Sequence, residues 1–156
     1  MNYYMFVNNL VLDNTEAGDK VERNPNSDYM EYNYIFTNRK VSETEAYLEK
    51  YPDSRHTNRV EAMIASAYFD KGMYLEAIAL YRSCELDALA DKERDEAVLK
   101  LATAYLRTGD LKEAAVWFGL LRDVGKTYQS DAVYHLAYID YMEGRYEKAR
   151  ETFVSL

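Results

Sequence analysis

The sequence predicts an all-α protein in which antiparallel helix pairs stack side by side into an α-α superhelix, or solenoid. Three segments between residues 64 and 153 align without gaps around a central glycine, at periods of 37 and 35 residues. Such fixed-period self-similarity is typical of repeat architectures. The chain also contains only 2 Pro and 6 Gly among 156 residues, which favours helices joined by short turns over a many-stranded sheet.

Each aligned segment is predicted to form two helices that meet at its glycine. A glycine at that place ends the first helix, because it adopts a left-handed backbone conformation at little steric cost. Charged residues occupy the places between the apolar ones, so each helix has one apolar stripe. The three glycines are Gly72, Gly109 and Gly144.

Small and large side chains recur at fixed distances from these glycines. An alanine lies seven residues before each glycine and another lies five residues after it. Two antiparallel helices approach closely only where small side chains lie at the crossing, and a neighbouring ring then fills the remaining space. The recurring residues are Ala65, Ala102 and Ala137, Ala77, Ala114 and Ala149, the aliphatics Ile64, Leu101 and Leu136, and the rings Tyr81, Phe118 and Phe153.

This arrangement of small, aromatic and glycine positions resembles the tetratricopeptide repeat, a unit of about 34 residues. Tyr68 and Tyr105 fit the first-helix tyrosine of that family, whereas Asp140 takes its place in the third segment. The family's terminal proline is missing after the first and second units. The resemblance implies three tetratricopeptide-like units over residues 57–156, of which the last is truncated.

The pattern weakens upstream of residue 57. The segment EAYLEKYPDS, which contains Pro52, indicates the end of a preceding helix, because proline stops a helix. With a partner helix near residues 28–38, it predicts a degenerate helix pair over residues 29–56. Residues 1–28 are predicted to form a helix followed by a polar loop.

The YLEKYPDS segment is similar to repeats of bacterial cell-envelope tetratricopeptide proteins. That resemblance implies a bacterial protein of the cell envelope or periplasm, with the cytoplasm as the alternative. The net charge of −8 disfavours binding to nucleic acid or to anionic lipid. The longest early apolar stretch, from Tyr3 to Leu12, is too short to span a bilayer. We therefore expect a protein or peptide partner, with no nucleic acid and no membrane insertion.

Residues capable of catalysis are scattered along the chain. His56 and His135 lie far apart, and neither has metal-ligand spacing with Cys84. Cys84, the only cysteine, is predicted to be a small core residue on the apolar side of a helix. Each repeat glycine stands alone after a helix, so a phosphate-binding loop is not predicted. The sequence therefore predicts no enzyme activity, no cofactor and no metal.

An acidic cluster precedes the second aligned segment. Its carboxylates alternate with Lys92 and Arg94, and acidic residues are favoured near a helix N-terminus by the helix dipole. We interpret the cluster as a solvated helix start rather than as a metal or acid/base site. Its members are Asp91, Glu93, Asp95 and Glu96.

The family resemblance implies that the first helix of each unit turns one face inward along the superhelix. Rings beside charged and hydrogen-bonding groups suit a concave groove that binds a peptide or helix, because aromatic side chains supply contact area at low entropic cost. The alternatives are that the rings pack against another segment of the same chain, and that His135 is a partly buried structural residue. The predicted concave-face residues are Arg59, Met63, Ser66, Phe69, Glu96, Lys100, Thr103, Arg107, Tyr134, His135, Tyr138 and Tyr141.

The sequence thus predicts a non-catalytic protein–protein interaction scaffold. The alternative is a structural spacer or self-association module within a larger multidomain protein. An apolar face that contains Val154 and Leu156 is expected at the C-terminal end, where it can stack on another copy. The same face leads us to expect that the chain is a fragment of a longer protein.

Overall fold

A computed structural model describes residues 41–52 and 56–156, and all of the regular secondary structure in these ranges is helical. A short 3-10 turn, Leu86–Ala88, precedes the fourth helix. The all-α prediction is therefore confirmed for this part of the chain. The helix and loop predicted over 1–28, and the helix predicted near 28–38, lie outside the described residues. The seven described α-helices are α1 (Val41–Lys50), α2 (Thr57–Asp70), α3 (Tyr74–Ser83), α4 (Asp91–Arg107), α5 (Leu111–Val124), α6 (Gln129–Met142) and α7 (Tyr146–Ser155).

The helices pack in the order in which they occur along the chain. Helices α2 and α3, α4 and α5, and α6 and α7 form three pairs, each joined by a short turn. Each pair contacts the next, and α2 also contacts α4 directly. This packing is that of a stacked helical-repeat solenoid, as the repeat predicts.

A glycine in left-handed conformation reverses the chain within each pair. Gly109 has φ +84°, and its amide donates to the carbonyl of Leu106 at 3.2 Å. The next amide, of Asp110, donates to the carbonyl of Tyr105 at 2.9 Å. Together these bonds satisfy carbonyls at the end of α4. The same pair of bonds recurs at the other two repeat glycines, which have φ values of 78° and 86°.

The six recurring alanines are all buried, as predicted from their spacing. Tyr81 and Phe118, the recurring rings of the first two pairs, are 1% and 0% exposed and lie in separate clusters of the core. Phe153, the third recurring ring, is 36% exposed. The prediction that it packs like the other two is therefore wrong, because Phe153 belongs to the last pair, on which no further described helix stacks.

The helix before the repeats ends where the proline predicts. Helix α1 ends at Lys50, two residues before Pro52. Tyr47 of α1 is buried in a small cluster with Val60 and Ile64 of α2. The segment upstream of residue 57 therefore adds a helix to the same stack.

Cys84 lies just after α3, in extended backbone, and not on a helix as predicted. Its thiol is 3.2 Å from the carbonyl of Leu80, and the side chain is half-buried. Burial, together with the nearby Glu61 carboxylate, raises the pKa of Cys84 to about 12. The thiol is therefore protonated at neutral pH, which disfavours a nucleophilic role.

The interpretation of Asp95 as part of a solvated helix start is wrong. The residue is 1% exposed, and one carboxylate oxygen accepts bonds from the amides of Lys126 and Thr127 at 2.7 and 2.9 Å. The Thr127 hydroxyl donates to the same oxygen at 3.1 Å. Asp95 therefore joins α4 to the loop between α5 and α6. Asp91 and Glu96 are exposed, as predicted.

Candidate protein-binding site

The first helices of the first two pairs, α2 and α4, line a half-open pocket of about 410 Å³. Four of the predicted concave-face residues line it, namely Arg59, Met63, Ser66 and Glu96. Residues from two separate repeats are therefore brought together, although they are up to 37 positions apart in sequence. The pocket combines an apolar thioether with charged and hydroxyl groups.

Lys100 of α4 connects the two helices across this face. Its ammonium group donates to the Ser66 hydroxyl at 2.5 Å and lies 3.3 Å from a carboxylate oxygen of Asp70. It also lies 3.6 Å from Glu96 on its own helix and 5.7 Å from the ring centre of Phe69. The lysine charge is thus shared among two carboxylates, a hydroxyl and an aromatic face.

A second ion pair joins α2 to α4 near the start of the fourth helix. A guanidinium nitrogen of Arg59 lies 2.7 Å from a carboxylate oxygen of Glu93, and both side chains are partly exposed. With the Lys100 contacts it forms a set of charged and hydroxyl side chains that we call the polar seam, made of Arg59, Glu93, Ser66, Lys100 and Asp70. A partner on this face would meet alternating charges.

Tyr81 lies beneath the polar seam and also lines the pocket. Burial raises the pKa of the Tyr81 phenol, and a side-chain hydrogen bond with Ser66 only partly offsets that rise. Ser66 is therefore held from two sides, by the neutral phenol and by the Lys100 ammonium group. This packing fixes the floor of the pocket.

The two remaining candidates on α4 lie apart from the seam contacts. The Thr103 hydroxyl donates back to the carbonyl of Leu99 at 2.7 Å, within its own helix. Arg107, in the last turn of α4, is exposed. Neither residue lines the pocket between α2 and α4.

His135 on α6 is half-buried and stacks on Phe118 of α5. The ring centres are 4.6 Å apart and the planes differ by 6°. Its Nδ1 lies 2.7 Å from the carbonyl of Asp131, one helical turn earlier. These contacts are those of the partly buried structural histidine that the sequence left as an alternative.

The three predicted tyrosines of α6 are exposed but do not form one cluster. Tyr134 makes an edge contact with Phe153 of α7, with ring centres 5.5 Å apart. Tyr141 makes a similar contact with Tyr146 of α7 at 5.2 Å. Tyr138 lies between them in sequence and has an exposed ring. Two of the three rings therefore lie beside the last helix.

The pocket also contains residues that the sequence reasoning did not select. Asp70 and Lys92 line it, and Glu93 closes one end through its ion pair with Arg59. Asp70 follows Ser66 by one helical turn, so helical spacing alone would have found it. Lys92 and Glu93 were assigned to the acidic helix start, and only the packing of α4 on α2 brings them to this face.

The described part of the chain bears on two kinds of function, metal binding and membrane insertion. No group of three or more His, Cys, Asp or Glu side chains within residues 41–52 and 56–156 is arranged to hold a metal ion. Among the same residues, none of the helices combines the length and the apolar character needed to cross a bilayer.

Comparison with known proteins adds one finding. The family model described as tetratricopeptide repeat matches residues 130–156, which contain most of α6 and all of α7. No curated protein matches the chain. Tetratricopeptide repeats generally mediate protein–protein interactions, and a fold of this kind is typically non-catalytic. Together with the repeated glycine turns and buried alanines, the match supports a tetratricopeptide repeat family for this chain.

Proposed function

We propose that this protein is a non-catalytic scaffold that binds a peptide or helix of another protein along the inner face of α2, α4 and α6. The observation that carries the proposal is the convergence of Arg59, Met63, Ser66 and Glu96 on one pocket between two repeats. A groove made by two repeats offers an elongated surface, which suits an elongated ligand better than a compact one.

The chemistry of the pocket indicates how a ligand would be held. The Arg59–Glu93 pair is partly exposed, so exchanging it for a pair with the ligand costs little. A ligand carboxylate can bind Arg59 in the pocket or Lys100, which contacts the pocket residue Ser66, while an apolar side chain packs on Met63. The exposed Tyr138 ring on α6 supplies a further contact along the same face.

Peptide selection followed by mutagenesis tests the proposal. Short peptides are selected from a random library on the 156-residue chain, and their affinities are measured by fluorescence anisotropy. We expect Lys100→Ala and Tyr138→Ala each to weaken binding by about tenfold or more, with helical circular dichroism unchanged. Leu75→Ala, at an exposed position of α3, serves as the matched control and should bind like the parent.

The result that would contradict the proposal is equally specific. The selected peptides would not use this face if two results held together. They would bind the parent and the Lys100→Ala variant with equal affinity, and their affinity would also be unchanged when Tyr134, Tyr138 and Tyr141 are all replaced by alanine. In that case the inner face of α2, α4 and α6 would have to be abandoned as the binding site.

A second candidate is a structural spacer or self-association module within a larger multidomain protein. The observation that favours it is the set of exposed apolar residues on the last helix pair, Tyr146, Phe153, Val154 and Leu156. Light scattering over a range of concentrations tests self-association, and a monomer at the highest concentration would argue against it.

We propose that the protein is located in a bacterial cell envelope or periplasm, rather than in the cytoplasm. This rests only on the resemblance of the YLEKYPDS segment to repeats of cell-envelope proteins. Fractionation of cells that produce the natural protein tests it, and recovery in the cytoplasmic fraction would contradict it.

A further inference from the structure

A second cavity, of about 890 Å³, lies between the first two helix pairs, where α3, α4 and α5 meet the loop that joins α3 to α4. It has Tyr81 as its only residue in common with the pocket between α2 and α4. Its volume is in the range of pockets that bury much of a ligand. We call it the loop cavity, and the lining residues that matter below are Glu85, Leu86, Asp87, Trp117, Leu120 and Val124.

Two side chains hold the walls of the loop cavity in place. The Asn58 side-chain amide donates to the Glu85 carbonyl at 2.6 Å, and its oxygen accepts from the Glu85 backbone amide at 2.6 Å. The buried carboxylate of Asp95 holds two backbone amides just after the end of α5. Asn58 and Asp95 lie at the same repeat position, fourteen residues before the glycine of their pair. The cavity is therefore preformed, which lowers the cost of binding.

Three of the five charged residues that line the loop cavity already have a charged partner. A guanidinium nitrogen of Arg94 lies 3.3 Å from a carboxylate oxygen of Asp95, which lines the same cavity. Arg82 forms a longer ion pair of 3.8 Å with Glu113, and its guanidinium lies over the Trp117 ring at 5.6 Å from the ring centre. The positive charges of the cavity are therefore already engaged.

Glu85 and Asp87 carry the two remaining charges, and both residues are exposed. Within residues 41–52 and 56–156, neither carboxylate forms a hydrogen bond or an ion pair. A ligand that enters the loop cavity therefore meets two negative charges without a partner, beside an aromatic ring. An ammonium or guanidinium group can pair with these carboxylates without breaking an existing contact.

An apolar stripe on α5 leads into the loop cavity. Val116, Leu120 and Val124 are four residues apart and therefore lie on one face of the helix. All three are exposed, and the last two line the cavity. The stripe extends the apolar surface by about 12 Å, at 1.5 Å per helical residue. A surface of that length suits several side chains of a peptide better than one compact amine.

We propose that the loop cavity binds a basic, amphipathic peptide segment of a partner protein. Lysine or arginine side chains of the segment pair with Glu85 and Asp87, and its apolar side chains pack on Trp117, Leu120 and Val124. This site is additional to the inner face of α2, α4 and α6 and does not depend on binding there.

Two other occupants match the loop cavity less well. A second copy of this chain has the same net charge of −8, whereas the cavity requires a positive ligand. Residues 1–40 contain six acidic and four basic residues, so they do not form a basic segment either. Further repeats of a helical stack would add at its ends, whereas this cavity lies between the first two described pairs.

Trp117 is the only tryptophan of the chain, so its fluorescence reports directly on the loop cavity. The probe is the capped peptide GLLKKLLG, which is titrated into the 156-residue chain. We expect a saturable shift of the emission to shorter wavelength, because covering the half-buried ring removes it from water. The capped peptide GLLEELLG keeps the apolar residues and reverses the charge, and it should bind about tenfold or more weakly.

A pair of double variants tests the role of the charges. Glu85→Gln combined with Asp87→Asn removes both unpaired carboxylates and should weaken binding of the basic probe by about tenfold or more. Asp131→Asn combined with Glu151→Gln removes the same charge at exposed positions outside the cavity. This matched control should bind the basic probe like the parent.

A pair of leucine variants tests the apolar wall. Leu120→Asn places a polar group on the wall and should weaken binding of the basic probe by about tenfold or more. Leu75→Asn, the same substitution at an exposed position of α3, is the matched control and should leave the affinity unchanged. Circular dichroism of all variants confirms that helicity is matched.

Three outcomes would overturn the proposal. The first is an unchanged Trp117 emission up to about 1 mM basic probe, which is also expected if another part of this chain or a second copy covers the cavity. The second is equal weakening by the two double variants, which would mean general attraction to an acidic surface. The third is equal affinity for the basic and acidic peptides. None of these results bears on the inner face of α2, α4 and α6, which its own variants test.

Discussion

Replacing Asp95 with alanine should destabilise the whole stack, although the residue lies in an acidic helix start. The carboxylate accepts three hydrogen bonds from Lys126 and Thr127, at 2.7 to 3.1 Å. Each bond to a buried charged group contributes about 1.5–3 kcal/mol. Lys126 is exposed, so water replaces part of its bond in the variant. We therefore expect a loss of about 2–4 kcal/mol in the free energy of unfolding.

Urea denaturation followed by circular dichroism measures this loss. Glu96→Ala is the matched control, because Glu96 is the next residue, is exposed, and makes only a 3.6 Å ion pair with Lys100. Removing an exposed pair of this kind costs at most about 0.5–1 kcal/mol. If Asp95→Ala and Glu96→Ala unfold at the same urea concentration, the carboxylate does not hold the loop and the reasoning fails.

The same carboxylate should make stability depend on pH in the acidic range. Burial raises the pKa of Asp95, but the amide donors of Lys126 and Thr127, with the Thr127 hydroxyl and Arg94, outweigh burial and hold it below its ordinary value. The stabilisation is therefore present above the unfolded pKa of about 3.9 and is lost as pH falls through the lower folded pKa. The stability difference between the parent and Asp95→Asn should shrink in acid, and a constant difference down to about pH 2 would contradict this assignment.

Three further predictions concern packing and reactivity. Ala114→Arg should destabilise the protein by about 1–3 kcal/mol or more because Ala114 is fully buried at a helix crossing, and a thermal melt like that of the parent would contradict the repeat register. Gly125→Ala should also lower the melting temperature, because the new Cβ would collide with the Leu121 carbonyl oxygen. Gly119→Ala, within α5, has free space for its Cβ and should stabilise the protein by about 0.5–1 kcal/mol. Equal melting temperatures for the two variants would refute this reasoning. Cys84 should react with iodoacetamide at least about tenfold more slowly in the folded protein than in urea, because its raised pKa keeps it protonated, and equal rates would contradict its burial.

Much of the stack could be predicted from local sequence. The glycine turns followed from single residues, because only glycine adopts the left-handed backbone at low cost and each turn is completed by neighbouring amides. The buried alanines followed from spacing, since a small residue recurring at the same helical position implies a close crossing. Four of the concave-face candidates lie around one pocket for the same reason, because equivalent positions of adjacent helices face the same side.

Apart from the position of Cys84 at the end of α3, the errors and omissions arise where a contact joins distant parts of the chain. The partners of Asp95 lie more than thirty residues away, in a loop whose amides carry no sequence signal. No sequence pattern indicated that Glu93 would form an ion pair with Arg59, because the two side chains come together only when α4 packs on α2. The exposure of Phe153 likewise depends on what covers the last pair, whereas its sequence position matches that of the buried Phe118.

The sequence by itself determined the helical repeat, its turns and the small residues at its crossings, because these depend on backbone conformation and side-chain size at positions close together in the chain. Only the tertiary structure decided which charges pair across α2 and α4, how Asp95 holds the loop before α6, and how far the Phe153 ring is exposed. These features depend on side chains from different repeats meeting in space, and hydrogen bonds and ion pairs form only at such distances.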